Sequence, residues 1–429
     1  MLAVLASSWA LFLGLLLLMI GNGLQGTLLG VRGEIEGFDA LTMSFVMSAY
    51  FLGFLGGSRA APLLIQRVGH VRVFAALASL ISAAFILYAA FPHPIAWAAM
   101  RLLVGFCFSG VYVVCESWLN DSSTTETRGK TLSLYMIVQM LGVVSAQFML
   151  NLANPADYAL FVLISVLVSI SFAPILLSAT PAPMFQTTKP MTLQRLVETS
   201  PLGSVGMFFM GLIFAGMFGM AAVYGAERGL SVSDISLFVA TIYTGGLLLQ
   251  YPIGWLSDRM DRRRLIAILT AIGAVTMVMG FFASEAFTAL LVAAFLLGGL
   301  SNPLYSLLIA YTADYLDYED MAAASGGLMF INGCGAILGP FIVGAMMTTL
   351  GADSYFLFMA ANFALVSGYA LWRMTRRAPT PVEDTASFAY VAPQASPVAV
   401  EVATEYAIEQ AEGEELEEDP DQPETAGPV

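Results

Sequence analysis

The chain has 429 residues, 58% of them hydrophobic and 11% charged, with a mean hydropathy of +0.79; soluble domains run at roughly 45–50% apolar and 25% charged. That composition excludes a water-soluble fold. The formal charge of -14 belongs to the end of the chain: thirteen acidic residues lie between Glu383 and Glu424, while residues 1–377 carry 17 basic against 18 acidic groups, so neither a basic surface nor a nucleic-acid partner is expected.

Apolar runs long enough to cross about 30 Å of hydrocarbon fall at 8–30, 41–65, 72–91, 94–118, 130–153, 157–178, 203–226, 233–256, 264–283, 287–313, 322–349 and 354–373. They predict an all-α membrane protein of twelve transmembrane helices. The first run is read as a span and not a cleavable signal, since no Lys or Arg precedes Arg32 and the run exceeds a typical signal core. Arg67, Arg72, Arg128, Lys130, Lys189, Arg195, Arg259, Arg262, Arg263, Arg264, Arg373, Arg376 and Arg377 fall in alternate loops or at the end of the last span, against Arg32 and Arg228 in the others. By the positive-inside rule both termini are cytoplasmic, in a bacterial inner (plasma) membrane.

Residues 179–201, opening Thr-Pro-Ala-Pro at Thr180, read as a cytoplasmic linker between an N-terminal bundle, 1–178, and a C-terminal bundle, 202–377. Residues 378–429, rich in Pro, Ala, Glu and Thr, read as a disordered acidic tail. Cys107, Cys115 and Cys334 are isolated and His70 and His93 are the only histidines, so no metal, disulfide or cofactor is expected.

The halves resemble each other. A displacement of 192 pairs Gly53 with Gly245, Gln66 with Asp258, Arg67 with Arg259 and Arg72 with Arg264; 193 pairs Tyr112 with Tyr305, Gln139 with Asn332 and Gly142 with Gly335. Parallel duplication of a six-helix unit accounts for this and predicts two pseudo-symmetric six-helix bundles.

Between the eighth and ninth spans stands Gly254-Trp-Leu-Ser-Asp258-Arg259-Met-Asp-Arg262-Arg263, with a degraded counterpart at Pro62-Leu-Leu-Ile-Gln66-Arg67-Val-Gly69-His-Val-Arg72 that lacks the aspartate. The first resembles motif A of the major facilitator superfamily. Arg101-Leu-Leu-Val-Gly105 resembles part of that superfamily's motif B, and Cys115-Glu116-Ser117-Trp118-Leu119-Asn120-Asp121, followed by Arg128-Gly129-Lys130, is similar to its YcaD-like branch.

The resemblance implies the major facilitator fold and a gate made of Arg67, Arg72, Arg128, Asp258, Arg259, Arg262 and Asp314. Asp258 would face the start of the fifth helix near Arg128, and Arg262 would reach Asp314 or Asp317, contacts expected only when the cytoplasmic side is closed. Glu34, Arg101 and Glu116 are the proton-coupling candidates; Glu116 is read either as a protonatable site or as the partner of Arg67 in the gate. Gly335-Ala-Ile-Leu-Gly339-Pro340 looks like an antiporter pattern but stands in the eleventh span, where its small residues suit close helix packing.

Polar side chains in mid-membrane face a partner, a cavity or a substrate. Asn22, Gln25, Tyr50, Gln139, Gln147, Tyr243, Gln250, Asn302, Tyr305 and Asn332 are the cavity candidates on that ground. Met207, Met210, Met217 and Met220 share one stripe of the seventh span and read as packing or lipid-facing surface.

The expected function is secondary transport of a small solute by alternating access, driven by protons, in a monomer embedded in the lipid bilayer. There is no nucleotide-binding loop and no catalytic cluster, so an enzyme is disfavoured. The alternative is a non-transporting membrane sensor on the same scaffold, signalling through its acidic tail.

Overall fold

A backbone crossing hydrocarbon has no water to satisfy its N–H and C=O groups, so each apolar run closes on itself as a helix. The computed structural model describes residues 2–121, 123–177, 191–316 and 318–376, with 381, 385, 388–393, 395–396, 398–400 and 403 of the tail. Twelve long helices appear: α1 Leu2–Ile35, α2 Ala40–Val68, α3 His70–Ala90, α4 Pro94–Asp121, α5 Thr125–Met149, α6 Ala159–Ser171, α7 Pro201–Glu227, α8 Val232–Ser257, α9 Arg262–Phe282, α10 Phe287–Ala313, α11 Tyr318–Leu350 and α12 Ser354–Met374. With α6 running on through Ala173–Leu177, all twelve are long and apolar enough to span a membrane. Their ends are set locally. Asp39 and Ser231 accept the Thr42 and Asp234 amides at the starts of α2 and α8, and Gly69, at φ +83°, makes the turn from α2 into α3.

The sixfold units repeat in three dimensions at the displacement read from the sequence. In the first bundle α2 crosses α4 with no room for side chains: a Cβ on Gly53 would fall 1.9 Å from the Leu102 carbonyl oxygen, and one on Gly105 would fall 2.0 Å from that of Tyr50. In the second bundle α8 crosses α10 the same way, Gly245 on Phe295 O at 2.0 Å and Gly298 on Ile242 O at 1.9 Å. Small residues let backbones approach where lipid tails give no hydrophobic drive to associate. Gly142 and Gly335 likewise sit where α5 meets α1 and α11 meets α7, each against the neighbouring helix. Gly339 packs on Leu212 of α7, so the small-residue run of α11 serves as a packing face.

The ends of α2, α4, α8, α10 and α12 that carry Val68, Asp121, Ser257, Ala313 and Met374 define one face of the molecule, here the tail face. On the opposite face the two bundles are sealed against each other. Gly30 of α1 meets Ala222 of α7, Gly344 of α11 meets Ser44 of α2, Asn151 donates to Ser236 Oγ at 3.1 Å, and Phe45 and Phe341 pack edge to face at 4.7 Å. On the tail side α2 and α11 still touch, Arg59 lying over the Phe330 ring at 4.4 Å, and described tail residues bond to α8, α10 and α4.

Several described residues of the tail lie in the interior. Val391, Ala392, Ala395, Ala399, Val400 and Ala403 are almost completely buried, because their side chains are apolar and small enough to enter a cleft between helices. Lys189, Asp317 and Arg377, most of the linker 179–201 and the acidic end of the tail lie outside the described residues. The last part of the linker holds a short helix, Leu193–Thr199, whose Arg195 pairs with Asp320 at 2.5 Å.

Candidate functional site

Between the bundles, in the interior, is a polar space bordered by Asn22, Gln25, Tyr50, Arg101, Gln139, Tyr243 and Asn302. With tail residues Ala392 and Pro393 forming part of its wall, about 60 Å³ remains open. Asn22 donates to the Tyr112 hydroxyl at 3.2 Å and accepts from Gln25 at 2.9 Å. Tyr243 stacks on Phe218, ring centres 5.2 Å apart. Neither amide atom of Asn302, nor the Gln139 nitrogen, has a hydrogen-bond partner among the described residues. Groups left so in a dry interior cost about 1–3 kcal/mol each, and a bound solute would satisfy them.

Among the described residues, Arg101 is the one charged group on this wall. Its guanidinium is 4% exposed, lies 4.8 Å from the centre of the Tyr50 ring, and donates to Met47 Sδ at 2.9 Å. An aromatic face and a polarizable sulfur stabilise a desolvated cation less than a carboxylate would.

The structure separates the sequence candidates. Asn332 borders a smaller space with Tyr50, Phe214 and Pro393 and donates to the Met207 carbonyl at 3.1 Å. Gln250 borders a cleft of about 580 Å³ between α5 and α8, floored by Phe388, Ala389 and Tyr390, and not the central space. Gln147 also leaves the cavity set: it accepts from Thr27 at 2.7 Å and donates to Gly23 O at 3.2 Å, tying α5 to α1. Tyr305 is packed edge to face on Phe214, away from the open space. Glu34 is exposed at the end of α1 on the opposite face and so does not enter the path. The methionine stripe of α7 is buried packing, with Met217 reaching the central wall.

The gate candidates divide similarly. Arg262 is buried and ion-paired with Asp314, and it donates to Ala310 O and to Ser257 Oγ, both at 3.2 Å. This cluster joins α9 to α10 inside the second bundle, so it ties two helices of one bundle and not the two bundles to each other. Arg259 lies exposed on the Trp255 ring, and Arg67 and Arg72 are exposed. Glu116 does not pair with Arg67: it accepts from the Tyr135 hydroxyl at 2.6 Å and from the backbone N–H of Ser396 at 2.9 Å. Arg128 borders the same small pocket as Glu116, together with Ala399. Asp258 accepts the Phe388 amide at 2.7 Å, and it faces the start of α5 across the cleft that Gly129 borders.

Sequence reasoning missed Ser306, whose hydroxyl accepts from Val391 N–H and donates to Val391 C=O, and it missed the tail residues themselves. The available signal was the absence of any charged residue between Asp384 and Glu401.

The family model of the Major Facilitator Superfamily matches residues 11–231 and 202–405. The chain belongs to the major facilitator superfamily. Among curated superfamily members it is 26% identical over 372 residues to the uncharacterized MFS-type transporter YcaD of Escherichia fergusonii, covering 86% of this chain and 96% of that one. An uncharacterized MFS-type transporter of Enterobacter sp. is 27% identical over 376 residues, covering 87% and 97%. Among solved superfamily structures, a mutant of the nucleoside transporter NupG superposes with TM-score 0.72 at 14% identity, covering 85% of this chain and 99% of that one. A bacterial homolog of the human lysosomal transporter Spinster, inward-facing and unoccupied, gives 0.65 at 14%, covering 94% and 96%. The family and the twelve spans make this a multi-pass membrane transporter.

Proposed function

We propose that the protein moves a small uncharged or zwitterionic polar solute by alternating access, coupled to protons, with both termini in the cytoplasm. The observation that carries this reading is the central space itself: neutral hydrogen-bonding groups from both bundles, one arginine, and a seal on the opposite face. Two bundles joined in this way can rock about the polar space so that it opens to one side at a time. Asn302 and Gln139 offer donors and acceptors to a solute, the Tyr243 and Phe218 rings offer a flat apolar face, and Arg101 offers one positive charge to a carboxylate or carbonyl. Glu116, buried among apolar residues of α4, is the carboxyl that would take and release a proton as its surroundings change.

Proteoliposomes carrying an internal pH dye test this. A panel of nucleosides, sugars and amino acids is presented with and without an imposed proton gradient. Solute-dependent proton movement that is lost in Arg101→Ala and in Glu116→Gln is the expected result. Coupled transport unchanged in both variants removes the proton-coupling assignment, and solute entry insensitive to Asn302→Ala and Gln139→Ala removes the site.

A further inference from the structure

Residues 385–400 form the longest uncharged stretch of an otherwise acidic tail, and described residues of it bond to helices of both bundles. Three of its backbone N–H groups are taken by the body. Phe388 donates to Asp258 at the end of α8 at 2.7 Å, Val391 to Ser306 of α10 at 3.0 Å, and Ser396 to Glu116 of α4 at 2.9 Å. Ser306 also donates to the Val391 carbonyl at 3.1 Å, so one hydroxyl holds both polar groups of one residue.

These anchors lie at different depths and on both bundles. Ser306 is seven residues from the end of α10 and Glu116 five from the end of α4, which puts them about 10 Å and 8 Å inside the tail face. The strap therefore descends along the second bundle, turns where Ala392 and Pro393 border the central space, and climbs along the first. The anchors all hold backbone groups of the strap.

We infer that the described tail residues 388–393, 395–396 and 398–400 are a built-in plug of the transport path. While seated, it fills the route from the tail face to the central space. It also bonds to helices of both bundles, so that this face can neither admit solute nor close. Transport then requires the strap to leave, and Asp258 and Glu116, once freed, become available to the body. The blocking role rests on the transporter reading above; the seating of the strap does not.

The test uses the full chain with Cys107, Cys115 and Cys334 replaced by alanine. Ser306→Cys is labelled with a membrane-impermeant maleimide, with the native tail and with Ala392→Glu plus Ala399→Glu, which put charge into the buried part of the strap without touching the helices. A plug seated nine-tenths of the time slows labelling about tenfold relative to the charged tail. In addition, Ser306→Cys with Val391→Cys should form an intramolecular disulfide under mild oxidation. Labelling rates within a factor of about two of each other, against that tenfold expectation, overturn the seating. Solute flux that is the same for the disulfide-locked and the reduced protein overturns the block. Flux absent from every variant, charged tail included, counts against the transporter reading and leaves the labelling result standing.

Discussion

Arg262 at the start of α9 and Asp314 at the end of α10 form an ion pair with side chains only 2% and 3% exposed. Desolvating both ions costs several kcal/mol, which their attraction offsets only while both are present. The pair is thus a local lock between two helices of one bundle, with Ser257 and Ala310 O taking up two further guanidinium donors.

Removing one partner leaves an uncompensated buried charge. Asp314→Leu or Arg262→Met alone should lower unfolding stability by about 3–5 kcal/mol, while the two together should recover much of that loss. Thermal unfolding of the four proteins in detergent, treated as a double-mutant cycle, checks it. Additive losses would show that the pair does not couple.

The repeat makes a prediction about glycines. Gly53→Val and Gly245→Val place a side chain 1.9–2.0 Å from a facing carbonyl oxygen in the two bundles alike, and overpacking of this kind costs about 1–3 kcal/mol or more. Both should lower the melting temperature to a similar degree. Gly368→Val, where nothing lies within 4 Å of the added Cβ, should be tolerated in the same assay.

Two glutamines on α5 should behave differently. Gln147→Ala removes the tie to Thr27 and Gly23 and should destabilise by roughly 0.6–1.7 kcal/mol, the range for hydrogen bonds between membrane helices, with solute affinity unchanged. Gln139→Ala, whose nitrogen has no protein partner among the described residues, should not lower stability and should weaken solute binding. Melting and equilibrium binding on the same preparations separate the two.

Asp261 caps α9 by accepting the Arg263 amide at 2.9 Å. Burial pushes its carboxyl up, but the hydrogen bonds and charge of Arg263, with the charge of Arg264, outweigh that and hold it below its ordinary value. A lowered folded value means the stabilisation is complete above the unfolded pKa of about 3.9 and is lost as pH falls through the folded one. Asp261→Asn should therefore be less stable than the parent at neutral pH, and the gap should narrow below about pH 4. A gap that widens in acid would reverse the assignment.

The twelve spans, the duplication and the basic loops were legible in the sequence because each depends on local composition: a run of apolar side chains must become a helix in hydrocarbon whatever its neighbours do. The glycines matched at 192 and 193 residues announced the crossings for the same reason, since a bare backbone is needed wherever two helices touch. Composition also marked the polar mid-membrane residues, but it could not tell Asn302, which borders the central space, from Gln147, which binds α1. That choice depends on which face of a helix meets which neighbour, and only packing sets it. The tail shows the limit most clearly. Residues 385–400 look featureless alone, with Phe388 and Tyr390 their only aromatic side chains, and the burial of the described ones arises because helices of both bundles present Asp258, Ser306 and Glu116 to their backbone.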